Sequence, residues 1–270
     1  MPELPEVETI KCGITPHLIK QTIQHVIVRQ RQLRWPIAAD LHRTIAGQTI
    51  QAITRRSKYL IVKLSKDYLI IHLGMSGRLQ IVPTHTPYQK HDHVDFKFAN
   101  HCLRYHDPRR FGAIVWTDHD PKQHPLLSTL GVEPLTDAFN ADYLYTHAQR
   151  SKSPIKNLLM NAKIVVGIGN IYAAESLFLS NIHPLCSSKQ LSHTQCQQLV
   201  SAAKQTLLAA IAAGGTTLKD FYNGEGKPGY FQQALQVYGR DGQACVRCKS
   251  RLEKLILQQR STVYCPSCQN

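Results

Sequence analysis

The four cysteines nearest the end of the chain form the pattern that most restricts how this sequence can fold. Cys245 and Cys248 are separated by two residues, as are Cys265 and Cys268, and sixteen residues lie between the two pairs. Two such pairs can place four thiolates tetrahedrally around one Zn²⁺ ion. Because four cysteines fill the coordination sphere and leave no position for water, the pattern predicts one structural zinc ion rather than a catalytic one.

The segment between the two cysteine pairs is predicted to be a β-hairpin with the metal at its base. Its apolar residues are Leu252, Leu255, Ile256, Leu257, Val263 and Tyr264. From residue 239 to residue 270 the chain has six basic and two acidic residues, a net charge of +4. A basic hairpin of this kind suits contact with phosphates, although zinc hairpins also bind proteins.

The whole chain is basic, with 32 Lys and Arg against 18 Asp and Glu, which gives a net charge of +14. This excess predicts a polyanionic partner, and nucleic acid suits it best. Hydrophobic residues make up 43% and charged residues 19%, a balance that excludes a wholly disordered chain. No apolar run approaches the ~20 residues that cross a bilayer, and the first residues do not resemble a signal peptide. We therefore expect a cytoplasmic protein.

The order of the predicted elements indicates an α+β protein with several domains. Residues 2–14 are predicted to form a helix, with Pro5 in its first turn. Short apolar segments then predict the antiparallel strands of a sandwich or barrel, namely 22–29, 49–54, 59–64, 68–73, 94–98, 103–106 and 113–117. Pro, Gly and Asp residues mark a boundary between 120 and 140. We expect a β domain over 1–130, a helical domain over 131–235 and a zinc finger over 236–270.

The second part of the chain has helical signals. Ser192-His-Thr-Gln195 is a capping-box pattern before apolar residues at helical spacing, and Gly214-Gly215 is expected to end that helix. Two further helices are predicted over 153–160 and 171–179. Between 216 and 230 several glycines and a proline predict a long loop, and loops of that length are often functional.

Four short segments could bind a phosphate, a base step or a metal ion, and each also has a plain structural interpretation. Asp107–Gly112 puts two arginines beside Phe111, which could clamp phosphates and wedge a base step, or form a cation–π surface loop. Gly167–Asn170 lets backbone N–H groups approach an anion at a helix start, or simply joins two helices. Arg55–Lys58 precedes an apolar strand and could be a solvated strand end. His91-Asp-His93 is an incomplete metal-ligand set, so we interpret it as polar contacts or structure.

The start of the chain suggests covalent chemistry. If Met1 is removed, as is usual before a small residue, Pro2 gains a free secondary amine. An α-amino group has a pKa of about 8, against about 10.4 for Lys, so more of it is unprotonated at neutral pH. Such an amine can attack a sugar C1′ and form an iminium ion, with Glu3 nearby to transfer protons. The structural alternative is a proline that only starts a helix.

Beyond these separate signals, eight motifs follow one another along the chain: Met1–Thr9, Arg55–Leu60, His72–Gly77, Asp107–Gly112, Val165–Tyr172, Gly214–Phe221, Gly226–Phe231 and the four cysteines. In this ordered set the chain resembles the bacterial formamidopyrimidine-DNA glycosylase family along essentially its whole length. Leu4 favours this family over the similar endonuclease VIII family, which has Gly at that position. The resemblance implies an N-terminal helix with a β-sandwich, then a helix–two-turns–helix domain with a zinc finger.

The resemblance also implies catalytic roles. Pro2 would be the nucleophile that forms a Schiff base, and Glu3 the proton donor in glycosidic cleavage. Glu6 would support the site, and Lys58 would bind phosphate and donate a proton during β-elimination. Arg260, on the zinc hairpin, would bind the phosphates that flank the lesion and assist δ-elimination.

Further roles implied by the resemblance concern the DNA. Met75, Arg109 and Phe111 would fill the gap left by the flipped nucleotide, with Arg109 facing the orphan cytosine. Contacts with the DNA backbone would come from His91, Arg110, Ser151, Lys152, Lys156 and Asn170. A loop over the damaged base would contain Thr217, Lys219, Phe221, Tyr222 and Gly224. Asn161, where the family pattern has Asp, and Ser151, within an otherwise basic stretch, depart from what the resemblance implies.

Together these roles predict a bifunctional DNA glycosylase/AP lyase that excises 8-oxoguanine and formamidopyrimidines from duplex DNA and then cleaves the strand by β,δ-elimination. One alternative is an oxidised-pyrimidine glycosylase of the endonuclease VIII type. Another is a non-catalytic zinc-dependent DNA-binding protein. The expected partner is damaged double-stranded DNA and the expected cofactor is one structural Zn²⁺ ion. We expect a monomer that acts on the bacterial nucleoid, with no membrane and no obligatory protein partner.

Overall fold

The structure is a computed structural model that describes residues 2–215 and 235–269. Its chain divides into two compact units. Of the described residues, 2–129 and 213–215 form the first unit, and 130–212 and 235–269 form the second. Within these ranges, no helix combines the length and the apolar character that crossing a membrane requires.

The first unit begins with helix α1 (Leu4–Leu18), which runs four residues beyond the predicted end at residue 14. Its buried face contains Val7, Ile10, Ile14 and Leu18, and each has no exposed surface. The spacing of three and four residues is that of one helix face, so Leu18 continues the buried stripe past Pro16. Fully burying side chains of this kind contributes about 1.5–3 kcal/mol each.

Eight strands follow α1 and form two four-stranded antiparallel sheets. They are β1 (His25–Val28), β2 (Ile50–Arg56), β3 (Tyr59–Leu64), β4 (Tyr68–His72), β5 (Arg78–Pro83), β6 (Asp92–Lys97), β7 (His101–His106) and β8 (Ala113–Thr117). One sheet has the order β1-β6-β7-β5 and the other has the order β2-β3-β4-β8. A short helix, α2 (Leu41–Thr44), lies between β1 and β2 in the chain.

The two sheets enclose a common core, which confirms the predicted sandwich. One cluster of buried side chains includes Val7 of α1, Val62 and Ile71 of one sheet, and Phe96 and Tyr105 of the other. Strand β5 was not among the predicted strands. Leu79 is its only buried residue, so its apolar signal is weak although it pairs with β7 along its length.

The second unit contains four α-helices among the residues described. They are α3 (Ala141–Gln149), α4 (Ile155–Leu159), α5 (Asn170–Leu179) and α6 (His193–Ala212). The capping box before α6 is confirmed, since the Ser192 N–H donates to Gln195 Oε1 at 2.9 Å and the Gln195 N–H donates to Ser192 Oγ at 3.2 Å. After α6, Gly214 and Gly215 have φ angles of 75° and 80°, which L-amino acids rarely adopt.

The predicted hairpin between the cysteine pairs is present as β9 (Glu253–Leu257) and β10 (Arg260–Tyr264). Its two turn residues, Gln258 and Gln259, both have positive φ angles, as a type I′ hairpin turn requires. Arg260 therefore lies directly after the turn, paired with Leu257. The hairpin shares a buried cluster with Ala174 and Phe178 of α5.

Candidate functional site

The two residues before α1 are both buried, and their backbone is held by a carboxylate from the next turn. The N–H of Glu3 donates to Glu6 Oε2 at 2.8 Å, and the side chain of Glu6 has no exposed surface. An acidic residue in the first turn of a helix also interacts favourably with the helix dipole. Glu6 thus fixes the position of Glu3 and of the adjoining Pro2. A Cβ added to Gly215 would lie 3.3 Å from Glu6 Oε1, so that backbone packs closely on Glu6.

The turn between β2 and β3 presents Lys58. Ser57, the preceding residue, has a φ of 56°, and its carbonyl accepts from Arg55 Nη1 at 2.9 Å. Arg55 Nε also donates to Glu8 Oε2 of α1 at 2.8 Å. Arg55 therefore connects this turn to the first helix. The segment Arg55–Lys58 is thus more than the solvated strand end that we considered from the sequence. Lys58 is half-buried.

His72, at the end of β4, is neutral at physiological pH. Burial, together with the charges of Lys58 and Arg34, lowers the pKa of its imidazole to about 4, although the charge of Asp107 acts in the opposite direction. A neutral ring can accept a hydrogen bond, and His72 Nδ1 accepts from the N–H of Gly74 at 3.0 Å. The ring also packs against Tyr59, with 4.7 Å between the ring centroids.

Met75, Arg109 and Phe111, the three residues predicted to fill a gap in DNA, lie on two loops of the first unit. Met75 is 41% exposed and Phe111 is 43% exposed, which is high for large apolar side chains. The guanidinium carbon of Arg109 lies 4.6 Å from the centroid of the Phe111 ring, a cation–π distance. The structure therefore brings Arg109 and Phe111 together at the surface.

The loop with Arg109 and Phe111 begins at Asp107, a residue for which the sequence analysis predicted no separate role. Its carboxylate is buried and accepts from Ser76, Tyr105 and the N–H of Gly112. The sequence signal that could have identified Asp107 is its place as an acidic residue directly after an apolar strand and before a Pro-Arg-Arg turn.

His91 and Arg110 are on loops next to these residues, and both have positive φ angles, 75° and 55°. The carbonyl of His91 accepts from the Asp107 N–H at 3.0 Å. In the predicted polar motif, Asp92 Oδ1 lies 2.7 Å from His106 Nδ1, and His93 Nε2 lies 2.8 Å from the Asp107 carbonyl. Asp92 and His93 thus make the polar, structural contacts that we inferred for the motif His91-Asp-His93.

In the second unit, Lys156 and Asn170 are directly bonded. Lys156 Nζ donates to Asn170 Oδ1 and to Thr262 Oγ1, both at 2.7 Å, although the side chain of Lys156 is almost fully buried. Asn170 Nδ2 donates to the carbonyl of Ser261 at 2.9 Å. Asn170 is the first residue of α5, and Gly169 is the N-cap of that helix. The sequence offered no signal for Thr262.

Ser151 and Arg260 line one cavity of about 370 Å³ in the second unit. Its other lining residues are Ser153, Asn157, Leu158, Met160, Asn161, Ile164 and Gln258. Lys152, next to Ser151, is exposed. The side-chain oxygen of Asn161 accepts from the Lys163 N–H at 3.0 Å, a bond that Asp could make equally, so this departure from the family pattern preserves the turn.

Glu175 is a buried acidic residue of α5 that the sequence analysis missed. Burial raises the pKa of its carboxyl group, and backbone hydrogen bonds act in the opposite direction. These bonds come from the N–H groups of Gln236, Val237 and Tyr238, at 2.8–3.0 Å. Glu175 thus anchors the start of the described segment 235–269. The residues predicted to cover a damaged base, Thr217, Lys219, Phe221, Tyr222 and Gly224, lie outside the described residues.

The four cysteines of the predicted metal site converge. Their Sγ atoms all lie within 4.8 Å of one another, with 4.0 Å between Cys245 and Cys268 and 3.4 Å between Cys248 and Cys265. Tetrahedral zinc with Zn–S bonds of about 2.3 Å requires sulfur atoms about 3.8 Å apart, so the donor set fits the ion. Four thiolates leave no open position, and the metal would connect the two knuckles that flank the hairpin.

Models of three protein families match this chain in succession. Residues 1–114 match the formamidopyrimidine-DNA glycosylase N-terminal domain, and residues 130–222 match the formamidopyrimidine-DNA glycosylase H2TH domain. Residues 242–270 match the zinc finger found in FPG and IleRS. This match and the converging thiolates identify the four cysteines as a structural zinc site.

Known proteins are similar to the chain over its full length. A formamidopyrimidine-DNA glycosylase of Psychromonas ingrahamii is 52% identical over 270 residues, which is 100% of both chains. Among solved structures, a mutant Lactococcus lactis FPG bound to DNA containing Fapy-dG is 34% identical, with a TM-score of 0.93 and full coverage of both chains. The Lactococcus lactis Fpg bound to DNA with an abasic site has the same identity and TM-score, with 99% coverage of each. The chain therefore belongs to the formamidopyrimidine-DNA glycosylase family of DNA repair enzymes.

Proposed function

We propose that this chain is a bifunctional glycosylase/AP lyase that excises 8-oxoguanine and formamidopyrimidines from duplex DNA. The observation that supports this most directly is the arrangement at α1, where the Glu6 carboxylate holds the backbone of Glu3 beside Pro2. Catalysis by an amine at C1′ needs a nucleophile and a proton donor that are both fixed before the substrate arrives. Adjacent residues on a capped helix start satisfy that need once Met1 has been removed.

The chemistry proceeds in two stages. The Pro2 nitrogen forms a bond to C1′ of the damaged nucleotide as the C1′–base bond breaks, and Glu3 donates the proton with which the base leaves. The Pro2 nitrogen then loses its own proton to the Glu3 carboxylate, the C1′–O4′ bond breaks, and O4′ takes up that proton as the sugar ring opens to an iminium ion. The resulting iminium ion acidifies the C2′ hydrogen, and its loss expels the 3′-phosphate; a second elimination then expels the 5′-phosphate. Lys58 transfers a proton during β-elimination, and Arg260 stabilises the phosphate charge that develops.

The DNA must be distorted before this chemistry begins. A stacked nucleotide exposes too little of C1′, and flipping it out costs a few kcal/mol. Met75, Arg109 and Phe111 offset this cost by occupying the vacated space, with Arg109 facing the orphan cytosine. Their exposure on short loops of the first unit suits an inserting role.

The remaining contacts hold the DNA backbone. His91 and Arg110 serve this purpose in the first unit, and Lys156, Asn170, Ser151 and Lys152 serve it in the second. The cavity that Ser151 and Arg260 share offers a polar recess for phosphate oxygens. Thr217, Lys219, Phe221, Tyr222 and Gly224 cover the damaged base. In this scheme segments 1–130, 131–235 and 236–270 act as catalytic, helical and zinc-finger domains of a monomer that works on DNA in the cytoplasm.

The proposed substrate class is tested by comparing excision under single-turnover conditions from two duplexes, one with 8-oxoguanine opposite cytosine and one with thymine glycol opposite adenine. We expect the 8-oxoguanine duplex to react at least tenfold faster. A preference for thymine glycol would instead indicate the endonuclease VIII type. DNA binding with excision from neither duplex would indicate a non-catalytic protein.

A further inference from the structure

The exposed side chains of Met75 and Phe111 project from two loops whose bases are bonded together. The first loop, 73–77, follows β4, and the second, 107–112, follows β7. Both loops belong to the first unit. If each loop moved independently, inserting three side chains into DNA would require ordering both loops at the moment of insertion, at a cost in conformational entropy.

Asp107 provides the bond between the two loops. Its Oδ1 accepts from the hydroxyl of Ser76 at 2.7 Å, and its Oδ2 accepts from the N–H of Gly112 at 2.9 Å and from the hydroxyl of Tyr105 at 3.0 Å. Ser76 Oγ in turn accepts from the N–H of Arg109 at 3.2 Å. One buried carboxylate therefore joins the residue after Met75 to both sides of the Arg109–Phe111 turn.

Backbone contact between the loops makes this connection rigid. A Cβ added to Gly74 would lie 2.4 Å from the carbonyl carbon of Phe111 and 2.6 Å from the nitrogen of Gly112. A Cβ on Gly112 would lie 1.8 Å from the hydroxyl oxygen of Tyr105. A side chain at Gly74 would therefore force the two loops apart, and one at Gly112 would displace the Tyr105 hydroxyl that bonds to Asp107. Asp107 has no exposed surface, so water does not compete for its bonds.

We propose that Asp107 is a positioning residue that holds the Met75 loop and the Arg109–Phe111 loop as one preformed wedge and thereby sets the rate at which the damaged nucleotide leaves the duplex. This inference rests on the proposed wedge role of Met75, Arg109 and Phe111. Asp107 does not touch the reacting atoms in this scheme. Its removal therefore slows the flipping step and spares the chemistry at C1′.

The experiment measures flipping and chemistry separately. Flipping is followed by stopped-flow fluorescence of 2-aminopurine placed opposite a tetrahydrofuran abasic analogue, because that analogue cannot form a Schiff base. Chemistry is followed by borohydride trapping on a single-stranded oligonucleotide with a natural abasic site, which has no opposing base to displace. For Asp107→Asn we expect the fluorescence change to slow at least tenfold while trapping stays within twofold of wild type.

Two further variants keep the test decisive if Asp107→Asn folds poorly. Ser76→Ala removes the two side-chain bonds between the loops, one to Asp107 and one from the Arg109 N–H, whereas Tyr105→Phe removes only the bond from β7 to Asp107. We expect Ser76→Ala to slow flipping about threefold or more, and Tyr105→Phe to slow it less. The matched control is Asp118→Asn, whose carboxylate is exposed beyond β8, and it should behave as wild type.

Equal losses of flipping and trapping in Asp107→Asn and Ser76→Ala would overturn the proposal, because they would indicate a general structural role. Wild-type flipping in both variants, with slow flipping in Met75→Ala and Phe111→Ala, would overturn the Asp107 proposal alone. Wild-type flipping in Met75→Ala and Phe111→Ala would contradict the wedge itself, and the role of Asp107 would then be overturned with it.

Discussion

The N–H of Glu3 donates a hydrogen bond to the carboxylate of Glu6 across the first turn of α1, at 2.8 Å and out of contact with water. The carboxylate of Glu6 has no exposed surface, and its role near the start of the chain is to hold the backbone of Glu3. The position of Pro2 therefore depends on Glu6, although Glu6 takes no direct part in the proposed chemistry.

Replacing Glu6 with Ala should therefore impair both stability and catalysis. The change leaves a buried N–H without its acceptor, at a cost of about 1–3 kcal/mol in the free energy of unfolding. We expect the single-turnover excision rate to fall at least tenfold. Glu6→Gln, which keeps a carbonyl acceptor, should lose less of both. Wild-type excision by Glu6→Ala would contradict this role.

Stability should decrease as the pH falls from 7 to 5, in part because of His72. Its pKa in the folded protein is about 4, below the usual value of 6.5, so the unfolded chain takes up a proton there before the folded protein does. Stability is thus fully present above pH 6.5 and is lost as the pH falls towards 4. Between pH 7 and pH 5 we expect this residue to account for about 2 kcal/mol.

His72→Asn isolates that contribution, because its side-chain oxygen can accept from the Gly74 N–H but does not titrate. Urea unfolding of both proteins at pH 7 and pH 5 measures the difference. Burial also lowers the pKa of His101, His106, His124 and His183, so only the difference between the two proteins reports on His72. An identical loss of stability in both would contradict the assignment.

Removing zinc should unfold the hairpin locally. Cys265 is one of the four zinc ligands, so Cys265→Ser should abolish the binding of one Zn²⁺ per chain. Cys265 is also buried in the cluster that joins the hairpin to α5. Hydrogen exchange should then accelerate in β9 and β10 and change little in α1, which lies in the other unit. Metal analysis and exchange measured by mass spectrometry test this. Unchanged affinity for abasic-site DNA would contradict the role given to the hairpin.

The contribution of Lys152 should appear in the salt dependence of DNA binding. Each phosphate contact that is lost reduces the slope of log K against log salt concentration by about 0.9. Lys152→Ala should therefore reduce the slope by about that amount for damaged and undamaged duplexes alike. Lys204→Ala is the control. The ammonium group of Lys204 donates to the Thr136 carbonyl and is assigned no phosphate contact, so this variant should keep the wild-type slope. An unchanged slope for Lys152→Ala would remove this residue from the interface.

The sequence predicted the zinc ligands, the sandwich and the capping of α6, since each depends on local spacing or periodicity. It missed β5, with one buried residue, and α3, where only Leu144 and Ala148 are buried, because their apolar signals are weak. The bonds around Asp107 and the contact of Lys156 with Thr262 were also missed. Those contacts join residues up to 106 positions apart, and only the fold brings them together.

The role of Pro2 as the nucleophile is tested by borohydride trapping on an 8-oxoguanine:cytosine duplex, followed by peptide mapping of the adduct by mass spectrometry. We expect one covalent adduct per chain, attached to the nitrogen of Pro2 in protein that has lost Met1. Attachment to a lysine, or active protein that retains Met1, would show that Pro2 is not the nucleophile. The absence of any adduct alongside efficient base excision would contradict this role equally.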